Sequence, residues 1–184
     1  MGELKYPKPV QLFCGVIFTA RAPLGEIKST LEASFGPIEF ESAVFSFDFT
    51  DYYKAEMGGE LKKILYAFEK LIPPCDIVDV KLRTNEIESG YMAAVMGAGG
   101  GSGRLVNLDP GYVDLPKMVL ASTKDFFHRI YLRDGIYAEV TLNYKKPSFT
   151  PFPWTYPDYK TAEYIGFFNE LRARYKMKLE YIER

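Results

Sequence analysis

One histidine and two cysteines are all that 184 residues offer of the side chains most used for metal ligation and thiol chemistry. Cys14 and Cys75 lie far apart, match no metal-ligand spacing and are too few for a disulfide framework. Cys14 falls inside a continuous apolar run, where it is expected to act as a small buried hydrophobe. The chain has no Gly-x-Ser-x-Gly elbow and no histidine close in sequence to either cysteine, which argues against covalent hydrolase chemistry. It also lacks the Gly-x-x-x-x-Gly-Lys-Ser/Thr loop and the Asn-Lys-x-Asp guanine reader. A net charge of −1 gives no general attraction to nucleic acid or anionic membranes, so neither is expected as a partner. No apolar run approaches the roughly 18 residues that span a bilayer. The opening MGELKYPKPVQLF lacks a charged segment followed by a long apolar one. These two features place the expected location in the cytoplasm.

What the chain does have is apolar and aromatic side chains. Hydrophobic residues make up 47% and aromatics 16%, enough for one globular domain, 1–184, with a real core. Residues 10–19, VQLFCGVIFT, are too continuously apolar for a surface strand and predict a central strand buried on both faces. Pro23 opens a helix, LGEIKSTLEASF, which Gly36-Pro37 ends. Residues 38–49 alternate with Phe45, Phe47 and Phe49 on one face, predicting a strand. After a polar-aromatic loop, ELKKILYAFEKLI carries Leu61, Ile64, Leu65, Phe68, Leu71 and Ile72 at helical spacing and predicts a second helix, stopped by Pro73-Pro74. The alternation of Val78, Val80 and Leu82 against Asp79, Lys81 and Arg83 predicts a strand over 76–84. A glycine-rich loop is expected at about 93–103. Asp158 is placed to cap a last helix with Ile165, Phe168, Leu171 and Tyr175 inward. The expected class is α+β: a single domain with a largely antiparallel or mixed sheet on about three helices.

The densest chemistry lies in residues 104–144. Asp134-Gly135 predicts a type I′ turn, with Arg133 facing Ile136, Ile130 facing Glu139 and His128 facing Thr141. His128, Glu139, Thr141 and Tyr137 would then share a face. Asn107-Leu108-Asp109-Pro110-Gly111-Tyr112 has turn chemistry, since Pro fixes φ and Gly permits positive φ.

Several motifs together resemble the prokaryotic domain-of-unknown-function family 4416, nearly end to end. They are Thr50-Asp51-Tyr52-Tyr53, Lys81-Leu82-Arg83-Thr84-Asn85-Glu86, Asn107-Leu108-Asp109-Pro110-Gly111-Tyr112, Ser122-Thr123-Lys124-Asp125, His128-Arg129-Ile130-Tyr131-Leu132, Gly135-Ile136-Tyr137-Ala138-Glu139-Val140-Thr141-Leu142 and Thr155-Tyr156-Pro157-Asp158-Tyr159. The resemblance implies no particular activity. Some members carry the label GTP-binding protein, for which this chain has no known motif. Its glycine run, 97–103, has no Lys-Ser/Thr after it and is longer than the family pattern suggests, which argues for an inserted loop.

Three constellations carry the functional expectations. Lys81, Arg83, Arg104, Lys124 and Arg129 would hold the anionic groups of a phosphorylated small molecule or nucleotide, with Asn85, Asn107 and Thr141 adding hydrogen bonds. Glu88 and Asp109, with Glu139, would hold Mg²⁺ or Mn²⁺ or steer protons. His128, oriented by Glu139, would act as acid or base. Thr50–Tyr53 with Trp154 and Tyr156 could wall a pocket for a base or sugar ring. The competing reading is a non-catalytic interaction or assembly protein in which these charges form structural ion-pair networks.

Overall fold

A computed structural model describes residues 2–97 and 103–182. Its centre is β1, Val10–Phe18, in which all nine residues are buried. Leu12, Cys14, Val16 and Phe18 enter one core, and Phe13 enters another on the opposite face. β1 is flanked by β4 (Lys62–Ile72) and β5 (Val106–Val113), both antiparallel. Beyond β5 come β6 (Lys117–Ser122), β8 (Ile136–Lys145) and the edge strand β7 (Ile130–Arg133). Beyond β4 lies β2 (Ile38–Glu41). The short β3 (Phe45–Ser46) also pairs β4, and β9 (Ser148–Pro151) pairs β8. Every pairing among the described residues is antiparallel.

Helices cover both faces of the sheet. α1 (Leu24–Phe35) and α3 (Ile77–Gly97) close one side, with Ile27, Leu31, Ile77 and Val80 in the core. α4 (Ala162–Ile182) closes the other through Tyr164, Phe167, Phe168 and Leu171. A single helical turn, α2 (Lys54–Met57), packs Met57 beside Ile17, Phe47 and Leu61 in a third cluster.

Several local expectations give way to long-range partners. The helix expected over 60–72 is β4. Its run from Lys63 to Phe68 is buried throughout, because β1 and β2 flank it and helices cover both faces. A two-face-buried strand and a buried helix look alike in periodicity, and pairing with β1 decides. The strand expected over 76–84 is the start of α3, led in by a 3₁₀ turn at Pro74–Asp76. Ile77, Val80, Lys81, Thr84, Ile87 and Glu88 are all buried, and their spacing is helical. Residues 38–49 divide into β2 and β3. α3 runs through Gly97, so the first part of the expected glycine-rich loop is helical; 98–102 lie outside the described residues.

Asn107-Leu108-Asp109-Pro110-Gly111-Tyr112 is not a turn but the middle of β5. Pro110 is tolerated because β6 pairing begins only at Gly111, so no ladder bond on that side needs its missing N–H. Asp158 does not cap α4. It sits in a 3₁₀ turn, Asp158–Lys160, and Thr161 Oγ1 instead accepts from the Tyr164 N–H at 3.4 Å.

The Asp134-Gly135 turn has the expected backbone, with φ of 52° and 75°, and Arg133 does oppose Ile136. A bulge between Tyr131 and Arg133 then shifts the register, so Ile130 faces Ala138 and not Glu139. His128 precedes β7 and has no strand partner.

Candidate functional site

β6 ends at Ser122 while β5 continues back to Val106, so the sheet opens between them. On one face α3 fills the gap. Lys81 Nζ donates to the Leu108 carbonyl at 2.7 Å, and Glu88 Oε1 accepts from the Leu108 N–H at 2.7 Å. Two side chains a double helical turn apart thus pair the groups that a longer β6 would have paired. Glu88 Oε2 also accepts from Arg104 Nη2, which donates to Asn107 Oδ1 at 2.6 Å. Asn107 Nδ2 passes the chain on to Asp109 Oδ2 at 2.7 Å.

Burial raises the Glu88 carboxyl above its ordinary 4.5, despite the nearby Lys81 and Arg104. The folded state therefore holds a proton there more readily than the unfolded chain. Stability from this group is present below 4.5 and is lost as pH rises through the higher folded value. Relative to Glu88→Gln, the wild type is expected to lose urea stability as pH rises from 4.5 towards neutrality. A difference that stays flat or grows over that interval contradicts the assignment.

On the other face the opening is a cavity of about 800 Å³. Its floor is laid by five strands: Lys63 from β4, Ile17 from β1, Asp109 from β5, Ser122 from β6 and Glu139 from β8. Its walls come from three connecting segments, which bring Tyr52 and Tyr53, Phe126 and Phe127, and Trp154 and Tyr156. Asp158 and Tyr159 close the end nearest α4.

Two buried ion pairs anchor the floor. Lys63 Nζ meets Asp158 Oδ2 at 2.6 Å with both side chains almost fully buried, and the ammonium lies 4.3 Å from the Tyr159 ring centre. Glu139, 1% exposed, accepts from Arg129 Nε at 2.8 Å and His128 Nε2 at 3.0 Å on one oxygen, and from Thr141 Oγ1 at 3.1 Å on the other. Arg129 is further held by Ser122 Oγ at 3.1 Å, the Lys124 carbonyl at 2.8 Å and the Tyr156 hydroxyl. Its guanidinium is therefore largely spent within the protein.

His128 stacks on Trp154 at 5.4 Å, and Trp154 stacks in turn on Phe152 at 4.7 Å. Because a carboxylate only accepts, the contact with Glu139 puts a proton on Nε2. Nδ1 is buried and has no hydrogen-bond partner among the described residues. Lys124 lies at the rim, its Nζ 3.8 Å above the Tyr52 ring, with no carboxylate in ion-pair contact among the described residues. Burial, Glu139 and Asp109 raise the Tyr156 phenol, whose hydroxyl therefore stays protonated near neutrality.

Of the residues singled out from sequence, His128, Glu139, Arg129, Lys124 and Asp109 line the cavity. Thr141 and Asn107 adjoin it through Glu139 and Asp109. Lys81, Glu88 and Arg104 are drawn into the pairing of β5. Arg83 and Asn85 lie on α3 away from the cavity; Arg83 pairs Glu86 at 2.9 Å. Both Glu88 oxygens are engaged, and among the described residues no group of three or more His, Cys, Asp or Glu side chains is placed to hold a metal ion. Sequence reasoning missed Lys63, Ser122 and Tyr159, and gave Asp158 a capping role. A lysine inside an otherwise apolar run was the one available signal for Lys63. Cys14 is buried, and burial together with Asp109 pushes its thiol far up, so it is no nucleophile.

Fold and site together define an α+β protein whose antiparallel sheet opens onto an aromatic-walled cavity with charged groups on its floor. A family model described as Domain of unknown function (DUF4416) matches residues 8–175, and the chain belongs to that family. No curated protein and no solved structure gives a significant match. Among the described residues no helix is long and apolar enough to cross a membrane.

Proposed function

We propose that the cavity binds a small molecule that joins a planar ring to a single phosphate-like anion, and that His128 exchanges a proton with it. The observation that supports this most is the combination of aromatic walls with one rim cation, Lys124, that no carboxylate neutralises. Rings stack favourably between aromatic side chains, and a cation at the mouth fixes orientation. Of the three lining cations, Lys63 and Arg129 are paired with Asp158 and Glu139, so Lys124 alone is left for an anion, which suits one phosphate better than several. Nucleoside monophosphates and aryl phosphates fit this description better than a triphosphate.

A thermal-shift screen of ring-bearing phosphates tests the reading. A ligand at 100 times its Kd raises stability by about 2.7 kcal/mol. Lys124→Ala is expected to weaken such ligands by tenfold or more, given about 1.5–3 kcal/mol for a charged hydrogen bond, while the unliganded melting temperature stays put. Ligands that bind Lys124→Ala as well as wild type would remove the anion from the proposal.

The interaction or assembly reading has its own observation. Phe127, just ahead of β7, and Ile130 and Tyr131 on this edge strand are 82%, 71% and 56% exposed. A concentration-dependent dimer in sedimentation, together with silence across the ligand screen, would favour it.

A further inference from the structure

Resting on that reading, we infer that the same cavity holds a protonated nitrogen at its floor, so that its ligand carries an ammonium group paired with Asp109. Lys63, Arg129, Glu139 and Asp158 are paired on the floor, and the half-buried Asp109 is not. Lys63 is matched by Asp158 and Arg129 by Glu139. Asp109 has no cation within ion-pair distance among the described residues; its one hydrogen bond there is the Asn107 amide, on Oδ2. A carboxylate ionised in a partly enclosed, aromatic site is costly unless paired.

A second, independent feature points to the same place. Tyr159 is 2% exposed and lines the cavity, yet its hydroxyl has no hydrogen-bond partner among the described residues. Gly15 lies directly across the ladder from Asp109; where a Gly15 Cβ would stand, Lys63 Cε is 3.0 Å away, its ammonium turned to Asp158, and the Tyr159 oxygen is 3.3 Å away. The hydroxyl therefore sits above the sheet one strand, or about 4.8 Å, from Asp109. An ammonium between them would donate to a carboxylate oxygen and to a phenol oxygen, satisfying both. Tyr53 and Tyr156 stand within electrostatic reach: burial foremost raises the phenols of Tyr53, Tyr156 and Tyr159, and Asp109 adds to it in each. Aromatic faces around a carboxylate attract organic cations through the ring quadrupole. With Lys124 at the rim and Asp109 at the floor, the ligand class becomes zwitterionic: an amine at one end, an anion at the other, a ring between.

Benzylamine and benzyl alcohol, which share ring and size, separate the charge from the ring. In calorimetric titrations of the intact protein at pH 7, benzylamine is expected to bind at least about tenfold more tightly, or 1.4 kcal/mol. That preference should vanish in Asp109→Asn and shrink in Tyr159→Phe. Equal affinity for the two probes on wild type overturns the amine inference and leaves the ring pocket standing. Binding of neither probe overturns the ring pocket itself. The wild-type comparison holds even if Asp109→Asn fails to fold. A preference that survives in a folded Asp109→Asn places the cation elsewhere and defeats the assignment.

Discussion

Replacing Lys63 by methionine is expected to cost about 3–5 kcal/mol, the usual penalty for stripping one partner from a buried ion pair. The ammonium and the Asp158 carboxylate are 2% and 4% exposed, so solvent screens neither. Methionine keeps most of the stem's volume and isolates the charge effect. What remains is a buried carboxylate with no other cation within ion-pair distance among the described residues. The companion change Asp158→Leu removes that carboxylate, and the double variant is expected to recover most of the loss. Urea denaturation of the two single variants and the double variant measures the coupling. Single variants that lose less than 1 kcal/mol, or losses that simply add, would show that the pair does not hold β4 to the segment leading into α4.

Gly111→Ala is the second large effect, and its cause is steric. A Cβ at this point of β5 would lie in hard contact with the Val119 carbonyl oxygen and 2.6 Å and 2.9 Å from two Phe13 ring carbons. Neither neighbour can yield easily. Val119 belongs to β6, whose backbone pairs both β5 and β8, and Phe13 is fully buried edge-on against Phe168 at 4.9 Å. Overpacking of this kind costs about 3 kcal/mol or more, which lowers the melting temperature of a chain this size by roughly 6–12 °C. Forcing β5 from β6 would also displace Asp109 and Ser122, so ligand binding should weaken with stability. A melting temperature within 2 °C of wild type, on the same scale, would mean that the strands separate more freely than their packing suggests.

The pattern of what the sequence disclosed follows the range of the forces involved. β1, α1 and the Asp134-Gly135 turn were legible because burial on both faces, proline and glycine boundaries and positive φ are local signals. The meeting of His128 with Glu139 was legible through that turn, although a bulge shifted the register and the contact forms from the segment ahead of β7. The gathering of Tyr52, Tyr53, Trp154 and Tyr156 around one cavity was foreshadowed by their aromatic density. β4 and α3 were not legible: each carries a pattern that fits the wrong element, and β1 and Leu108, distant in sequence, decide between the alternatives. Lys81 and Glu88 illustrate the point most sharply. Two charges that suggest a phosphate or metal site are used to complete a strand whose neighbour stops short. Lys63 and Asp158 were hidden for the same reason, since each is explained only by the other, 95 residues away.

The sequence's one tryptophan, Trp154, stands in the cavity wall, stacked on His128, so its emission reports on this space directly. The measurement that tests the account most directly is a fluorescence titration of wild type and Lys124→Ala with phenyl phosphate. A saturable change in Trp154 emission is expected on wild type, with the binding curve shifted by tenfold or more in Lys124→Ala, in line with the loss of one charged hydrogen bond. Emission that stays constant to millimolar phenyl phosphate, or identical curves for the two proteins, would contradict a ring-and-anion site in this cavity.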